Sequence, residues 1–270
     1  MTILFTGHNG FLGKELIPHL SLKYKIVIYD GDLCDAKSLN QFAIKNSVSK
    51  IIHSAARVGS RIKQNTSKEL VENIQMTLNL AQMGLPMVTF CSGKIFGYQE
   101  SIDYAAETNV GDRYPEDFYG QSKHLIKMLL KNCENVHFLR FFNVFGYHER
   151  PERFIRSNIS RYVNREVLIV HQPLIYDFYY VEDTLPLIDI FLEDNLPKDL
   201  NLVYSEKISL DQVCDLINFL NNYKVDILIE NNYPGKNYYG DGSQLAKMNL
   251  PLKGFSHGLE TVYKKLIGGQ

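Results

Sequence analysis

The sequence of 270 residues contains no tryptophan and only four cysteines, and its charges nearly cancel. Cys34, Cys91, Cys133 and Cys214 lie far apart with no CxxC pair, which argues against a zinc site or a disulfide scaffold and indicates a reducing cytoplasm. Lys and Arg number 29 against 30 for Asp and Glu, a net charge of −1. This balance gives no electrostatic signature of a nucleic-acid or anionic-membrane partner.

The chain also lacks long apolar runs. None approaches the ~20 residues that span a bilayer, and the N-terminal segment MTILFTGHNGFLG has no basic region before an apolar stretch, so it does not resemble a signal peptide. We therefore expect a cytoplasmic protein. The composition is 45% hydrophobic, enough to bury a core. At about 150 residues per domain, the length predicts one large domain or one domain with a smaller lobe.

Short apolar runs alternate with helical patterns along the first half of the chain. Such an order requires crossover connections, and the nearly continuous apolar runs are typical of strands buried on both faces. The fold class is therefore α/β, with a doubly wound parallel sheet. The predicted strands are residues 3–5, 25–29, 50–53, 87–90 and 136–141, and the predicted helices are 11–20, 35–46, 68–83 and 117–132.

The pattern changes after about Asn143, where polar and aromatic segments separate the helical stretches 157–164, 181–193 and 210–221. We assign residues 1–145 to the sheet domain, together with later interleaved segments at about 165–190 that complete the sheet. Residues 146–270 form mainly a smaller lobe.

A glycine motif follows the first predicted strand directly and opens a helix. Gly7, Gly10 and Gly13 give the spacing GxxGxxG. The first glycine permits a tight turn, the second lets the backbone approach a pyrophosphate, and the third lets helix and strand pack closely. The helix N-terminus supplies N–H donors to the phosphates. The motif predicts a dinucleotide site that also includes Asn9, Phe11 and Leu12.

Two aspartates near the end of the second strand are candidate adenosine contacts. Asp30 can accept hydrogen bonds from the ribose hydroxyls, which favours NAD over NADP because a carboxylate repels a 2′-phosphate; the alternative is an aspartate in an ordinary turn. Asp32, with the adjacent Leu33, can contact the adenine amino group, or it can cap the next helix.

Three further residues match the requirements of hydride transfer at a carbinol carbon. Tyr119 and Lys123 are four residues apart and share a helix face. A free tyrosine titrates near ~10, and we expect the Lys123 ammonium to bring the Tyr119 pKa down toward the working range. Ser92 follows a strand and so lies at the sheet edge where ligands bind in such folds.

Together these segments resemble the extended short-chain dehydrogenases/reductases of the nucleotide-sugar epimerase/dehydratase branch. The resemblance implies a Rossmann domain with a C-terminal sugar-nucleotide lobe, a nucleotide-diphosphate sugar substrate and a homodimer built on the helices after Lys68 and Asp117. It adds Ala55, Ala56, Asn73, Tyr119 and Lys123 to the cofactor site, and Lys94, Asn143 and Arg153 to the substrate site. The matching segments are TGHNGFLG (6–13), GDLCD (31–35), HSAA (53–56), VENIQMTLNL (71–80), CSGKIFG (91–97), YGQSK (119–123), RFFNVFG (140–146) and YDFYYVEDT (176–184).

Within the branch, AARVGSRIKQNTSKELVENI resembles GDP-fucose synthase, an NADPH-dependent reductase that also epimerises a 4-keto sugar. Two departures remove the groups for epimerisation: Lys94 replaces a catalytic cysteine, and no catalytic histidine lies near Arg153. Asn9 replaces the arginine that binds a 2′-phosphate, in agreement with Asp30. Gly93 and Lys94 stand where dehydratases carry an Asp-Glu pair, which argues against a 4,6-dehydratase because neither residue supplies carboxyl chemistry.

Several residues have structural alternatives. Arg153 is either a diphosphate contact or a surface charge. Tyr176 stands where the family has an arginine, and Tyr179 and Tyr180 are interpreted as packing aromatics. His53, His137 and His171 have no ligand spacing and are interpreted as structural.

The sequence thus predicts an NAD(P)-dependent oxidoreductase that reduces an NDP-4-keto-(6-deoxy)sugar at C4. Tyr119 donates the proton, Ser92 hydrogen-bonds the same oxygen, and Lys123 tunes Tyr119 and binds the ribose. Two alternatives remain: an NDP-sugar 4-epimerase with tightly bound NAD, and a non-enzymatic dinucleotide-binding regulator.

Overall fold

The computed structural model describes residues 1–59, 66–233 and 235–268, so residues 60–65 of the segment that resembles GDP-fucose synthase lie outside the described ranges. The strands are β1 (Thr2–Thr6), β2 (Lys25–Val27), β3 (Lys50–His53), β4 (Met87–Ser92), β5 (Ile102–Ala105), β6 (Val136–Phe141), β7 (Val144–Phe145), β8 (Leu168–Val170), β9 (Tyr179–Tyr180), β10 (Asp199–Leu202), β11 (Ile227–Ile229) and β12 (Tyr238–Gly240). The helices are α1 (Phe11–Leu20), α2 (Ala36–Lys45), α3 (Ser67–Ala81), α4 (Phe118–Leu130), α5 (Phe154–Val163), α6 (Leu185–Leu192), α7 (Leu210–Ile217), α8 (Ser243–Lys247) and α9 (Phe255–Gly268).

The main sheet has six strands in the order β10-β6-β4-β3-β1-β2, and every neighbouring pair is parallel. All residues of β3 and β4 are buried, because crossover helices cover both faces of a parallel sheet. The predicted α/β doubly wound fold is confirmed.

The winding direction of the sheet reverses at β1, which has β2 on one side and β3 on the other. In open α/β sheets, ligands bind outside the carboxyl ends of the strands at such a switch point. The buried His53 of β3 links β1 to α3 at this position. Its Nδ1 lies 2.8 Å from the Thr6 hydroxyl and its Nε2 lies 3.0 Å from the Thr77 hydroxyl. Burial and the nearby Lys123 lower the pKa of His53 to about 3, so it stays neutral as a structural residue.

Strand β10, from the later part of the chain, joins the main sheet by pairing with β6. We expected the segments that complete the main sheet to lie at about residues 165–190, and this expectation is wrong. The strands of that range pair elsewhere, β8 with β11 and β9 with β7, because the lobe builds its own two-stranded sheets.

The lobe packs α5 against α7 and α9, over a core that is continuous with one face of the main sheet. Aromatic contacts are frequent there, such as the stacked rings of Tyr162 and Tyr223, whose centroids are 4.5 Å apart. Tyr179 and Tyr180 are almost fully buried, as expected of packing aromatics.

No helix in the described ranges is long and apolar enough to cross a membrane. No group of three or more His, Cys, Asp or Glu side chains in the same ranges is arranged to hold a metal ion.

Candidate active site

The glycine turn lies at the carboxyl end of β1. Gly7 has φ +79°, and a Cβ on it would lie 2.6 Å from the Ala55 nitrogen. A Cβ on Gly13 would lie 2.4 Å from the His8 carbonyl oxygen. The Gly10 N–H donates to the Gly7 carbonyl at 3.0 Å and closes the turn. Side chains at Gly7 and Gly13 would therefore push the turn away from β3 and α1.

Helix α1 begins directly after this turn with Gly10 as its N-cap. No side chain in the described ranges caps it, and its first turn contains no acidic residue. The free N–H groups of a helix start attract anions, and the helix dipole adds to the attraction. The cradle formed by the turn and the start of α1, which includes Asn9, Phe11 and Leu12, fits the pyrophosphate of a dinucleotide.

Asp30 lies beside this turn, with its Oδ1 3.4 Å from Nε2 of His8 and its side chain 83% exposed. Strand β2 ends at Val27, two residues earlier than predicted. Helix α2 is capped by Asp35, whose carboxylate accepts from the Lys37 and Ser38 N–H groups. The alternative role of Asp32 as that cap is therefore wrong.

The carboxylate of Asp32 instead accepts the Cys34 N–H at 2.9 Å. This bond shapes the short loop between β2 and α2. The Leu33 carbonyl in the same loop accepts from the Asn79 side chain of α3 at 2.9 Å. The loop is therefore held against α3, near the end of β2.

The loop after β3 carries Ala55 and Ala56, both partly buried. The Ala55 N–H donates to the Thr6 hydroxyl at 3.4 Å. The buried Asn73 of α3 braces the same loop, since its Oδ1 accepts from the Arg57 N–H at 2.7 Å and its Nδ2 donates to the Arg57 carbonyl at 3.0 Å. The Asn73 amide is thus engaged in positioning the loop.

Ser92, Tyr119 and Lys123 meet where α4 starts beside the end of β4. Ser92 is the last residue of β4, and its hydroxyl accepts the Lys94 N–H at 3.3 Å. The Lys123 ammonium donates to the Phe90 carbonyl at 2.9 Å and lies 5.8 Å from the centroid of the Tyr119 ring. The structure therefore brings the three predicted residues together at the carboxyl edge of the sheet.

Burial raises the pKa of Tyr119 above its ordinary value, and the nearby Cys91 and Asp117 add to the rise. The Ser92 hydroxyl and the Arg153 guanidinium lower it, but less than burial raises it. Our expectation of a lowered Tyr119 pKa is wrong for this structure. Burial also lowers the pKa of Lys123, and its ammonium is bonded to a backbone carbonyl.

The predicted substrate residues lie around this cluster and are already engaged with neighbours. The Lys94 ammonium pairs at 3.0 Å with Asp117, which caps α4. The Asn143 amide donates to the Asp177 carbonyl at 3.0 Å and accepts from Arg153 at 3.3 Å. Arg153 precedes α5 and is half exposed. It lies near enough to Tyr119 for its charge to lower the pKa of the Tyr119 hydroxyl.

Sequence reasoning missed Tyr238, which the fold brings to the Ser92 hydroxyl from the far end of the chain. A Cβ on Gly93 would lie 2.8 Å from the Tyr238 hydroxyl oxygen. The sequence contains 17 tyrosines, but this number alone singles out none of them.

Comparisons with known proteins agree with this geometry. The model of the NAD dependent epimerase/dehydratase family matches residues 3–202. GDP-6-deoxy-D-talose 4-dehydrogenase of Aggregatibacter actinomycetemcomitans is 25% identical over 207 residues, covering 70% of this chain and 69% of that protein.

Two solved structures share the fold over nearly their whole length. GDP-mannoheptose C4 reductase from Campylobacter jejuni with NADP bound has a TM-score of 0.84 and 12% identity, covering 98% of each chain. GDP-L-fucose synthetase from Naegleria fowleri bound to NADP has a TM-score of 0.79 and 18% identity, covering 99% of this chain and 93% of that one.

The chain belongs to the NAD dependent epimerase/dehydratase family. It is an extended short-chain dehydrogenase/reductase, an enzyme that uses a nicotinamide cofactor on nucleotide sugars.

Proposed function

We propose that this enzyme reduces the C4 keto group of a nucleotide-diphosphate 4-keto-(6-deoxy)sugar. The observation that carries the proposal is the meeting of Ser92, Tyr119 and Lys123 next to a glycine cradle, without acidic residues at positions 93 and 94. The name of the curated relative supports it, because that enzyme is a 4-dehydrogenase of a 6-deoxy sugar carried by GDP.

Different residues of this chain donate the proton and stabilise the oxygen that receives it. When bound, the reduced nicotinamide cofactor supplies the hydride that adds to the carbonyl carbon. Tyr119 donates its proton to the carbonyl oxygen, and Ser92 hydrogen-bonds the same oxygen as negative charge develops on it. The raised pKa of Tyr119 suits this direction, because the group must carry a proton to act as the acid. Lys123 would hold the cofactor ribose.

We infer that the cofactor is NADH. Asp30 would accept hydrogen bonds from the adenosine ribose hydroxyls and would repel a 2′-phosphate. Asn9 offers no positive charge in the turn. Gly7, Gly10, Phe11, Leu12 and Gly13 would hold the pyrophosphate, and Asp32, Leu33, Ala55, Ala56 and Asn73 would line the adenosine and ribose positions.

The substrate diphosphate would be held by a few local groups. Arg153, with its charge near Tyr119, is suited to pair with it, and Lys94 and Asn143 would contact the sugar or the diphosphate after releasing their present partners. This arrangement is consistent with a chain whose net charge is −1.

We further infer a cytoplasmic homodimer that pairs through α3 and α4. These helices pack side by side, and Val71, Phe118, Met128 and Leu129 on them are exposed apolar side chains. An exposed apolar face of this kind marks an interaction surface.

The test incubates the purified protein with NDP-4-keto-6-deoxy sugars carrying different bases, each with NADH or NADPH, followed by NMR of the product. We expect stoichiometric oxidation of NADH and a new carbinol at C4 for at least one sugar. In a parallel incubation with NDP-sugars that carry a C4 hydroxyl and with no added cofactor, interconversion of the C4 epimers would support the 4-epimerase alternative instead. Inertness toward every sugar, with dinucleotide still bound, would support the regulator.

A further inference from the structure

Tyr238 reaches the active site from a strand of the lobe. It begins β12, which pairs in parallel with β5. Its N–H donates to the Ile175 carbonyl at 2.9 Å, and its carbonyl accepts the Asp177 N–H at 3.1 Å. The backbone of Tyr238 is therefore fixed on both sides.

The Tyr238 ring is held by three aromatic neighbours. The ring centroids of Tyr98 and Phe142 each lie 5.1 Å away, and that of Tyr176 lies 5.7 Å away. The phenol oxygen rests against Gly93, where a Cβ would lie 2.8 Å from it. The absence of a side chain at Gly93 thus gives the Tyr238 hydroxyl its place beside Ser92.

The Tyr238 hydroxyl is buried and makes no hydrogen bond of ordinary geometry within the described part of the chain. In contrast, the hydroxyls of Tyr98 and Tyr176 in the same cluster bond each other at 2.9 Å. Buried hydroxyls are nearly always paired, and an unpaired one at a site is a group kept for a partner.

The position of the phenol oxygen identifies that partner, because Gly93, against which the oxygen rests, directly follows Ser92 at the end of β4. The Ser92 hydroxyl lies close enough to lower the pKa of both Tyr238 and Tyr119, although burial raises both above the ordinary value. A buried phenol of this kind keeps its proton and remains a hydrogen-bond donor. Ser92 already accepts one bond from the Lys94 N–H, so a second lone pair of its oxygen is available.

We propose that Tyr238 is a positioning residue whose hydroxyl donates to the Ser92 oxygen and directs the Ser92 hydrogen toward the substrate oxygen. The proposal rests on the proposed reductase function. With its oxygen accepting from Tyr238 and from the Lys94 N–H, Ser92 has its single hydrogen left for the substrate. Chains of hydrogen bonds polarise one another, so the bond from Ser92 to the developing oxyanion is strengthened.

The kinetic test replaces Tyr238 by Phe, which keeps the ring among its aromatic neighbours. We expect kcat to fall about tenfold to a hundredfold with KM changed less than about threefold, because the lost interaction belongs to the transition state. Tyr98→Phe, which removes a hydroxyl of the same cluster bonded elsewhere, should retain kcat.

A double-mutant comparison separates positioning from an independent role. If Tyr238 acts through Ser92, Tyr238→Phe should cost little in a Ser92→Ala background. Full multiplication of the two losses in Ser92→Ala/Tyr238→Phe would overturn the proposal, as would an unchanged kcat in Tyr238→Phe.

A second readout does not depend on activity and so distinguishes this proposal from the proposed function. In protein labelled with 3-fluorotyrosine, the ¹⁹F resonance of Tyr238 is assigned by its loss in Tyr238→Phe. Ser92→Ala should shift that resonance, whereas Ser157→Ala, whose hydroxyl bonds the Phe154 carbonyl, should not. An unmoved resonance in Ser92→Ala would refute the contact even if the enzyme reduces a sugar; a shifted one would support it even if no sugar is reduced.

Discussion

At the scale of single residues, burial affects the pKa of Tyr119 more than the neighbouring Lys123 does. Apolar surroundings disfavour the phenolate, while Ser92 and Arg153 offset only part of that cost. The neighbouring carboxylate Asp117 also opposes ionisation. A tyrosine in this environment keeps its proton at neutral pH, which suits it to act as the proton donor of a reduction.

This environment predicts an asymmetric pH dependence. Because the Tyr119 pKa is raised, the protonated form persists as pH rises, and kcat/KM for sugar reduction should not fall between about pH 7 and about pH 9. Oxidation of the product needs the phenolate, so its rate should rise with pH over the same interval. Tyr119→Phe should abolish both reactions while leaving dinucleotide binding. A fall in kcat/KM for reduction between about pH 7 and about pH 9, or turnover by Tyr119→Phe, would contradict the role of Tyr119.

The sequence predicted the catalytic trio but not Tyr238. Tyr119 and Lys123 are local, since a spacing of four residues places both on one helix face, and Ser92 ends an apolar run. Tyr238 reaches Ser92 through the pairing of β12 with β5. No local pattern encodes that pairing, so sequence reasoning could not find it.

At the scale of elements, the glycine turn determines how closely α1 packs against the turn after β1. Gly13 is the tightest position, because a Cβ there would lie 2.4 Å from the His8 carbonyl oxygen and 2.5 Å from the His8 Cα. Both are backbone atoms, so the clash cannot be relieved by rotating a side chain. The turn itself would have to move.

Gly13→Ala should therefore weaken dinucleotide binding by about tenfold or more and destabilise the fold by about 1–3 kcal/mol, as overpacking does. Isothermal titration calorimetry and urea unfolding measure the two effects. Gly268→Ala is the matched control, because a Cβ there meets nothing within 4 Å. Unchanged affinity in Gly13→Ala would show that the turn does not need the close approach of helix and strand.

Element prediction succeeded where the pattern was strong and local. Helix α1 was predicted with the bounds that the structure has, and so were β3 and β6. Strand β10 was placed too early because its sequence DLNL alternates polar and apolar residues and carries no long apolar run. Its buried Asn201 accepts from Arg140 of β6 at 2.7 Å, a tertiary contact that a sequence window does not contain.

At the scale of the whole molecule, the exposed apolar side chains on α3 and α4 predict a dimer. Light scattering should give about twice the monomer mass of 31.1 kDa. Leu129, on α4, is 58% exposed, and Leu129→Glu should yield monomers because a charge would be buried in the interface. Ile44→Glu, at an exposed position on α2, should remain dimeric. A monomeric wild-type protein would exclude this interface.

As a whole enzyme, the protein is proposed to catalyse hydride transfer from NADH to C4 of a nucleotide-linked 4-keto sugar. The most direct measurement uses NADH in which deuterium replaces both hydrogens at the nicotinamide C4, and follows the sugar by NMR. We expect one deuterium at C4 of the product for each NADH oxidised, and loss of this transfer in Tyr119→Phe. A product formed without deuterium at C4, or transfer of deuterium by Tyr119→Phe at the wild-type rate, would contradict this proposal.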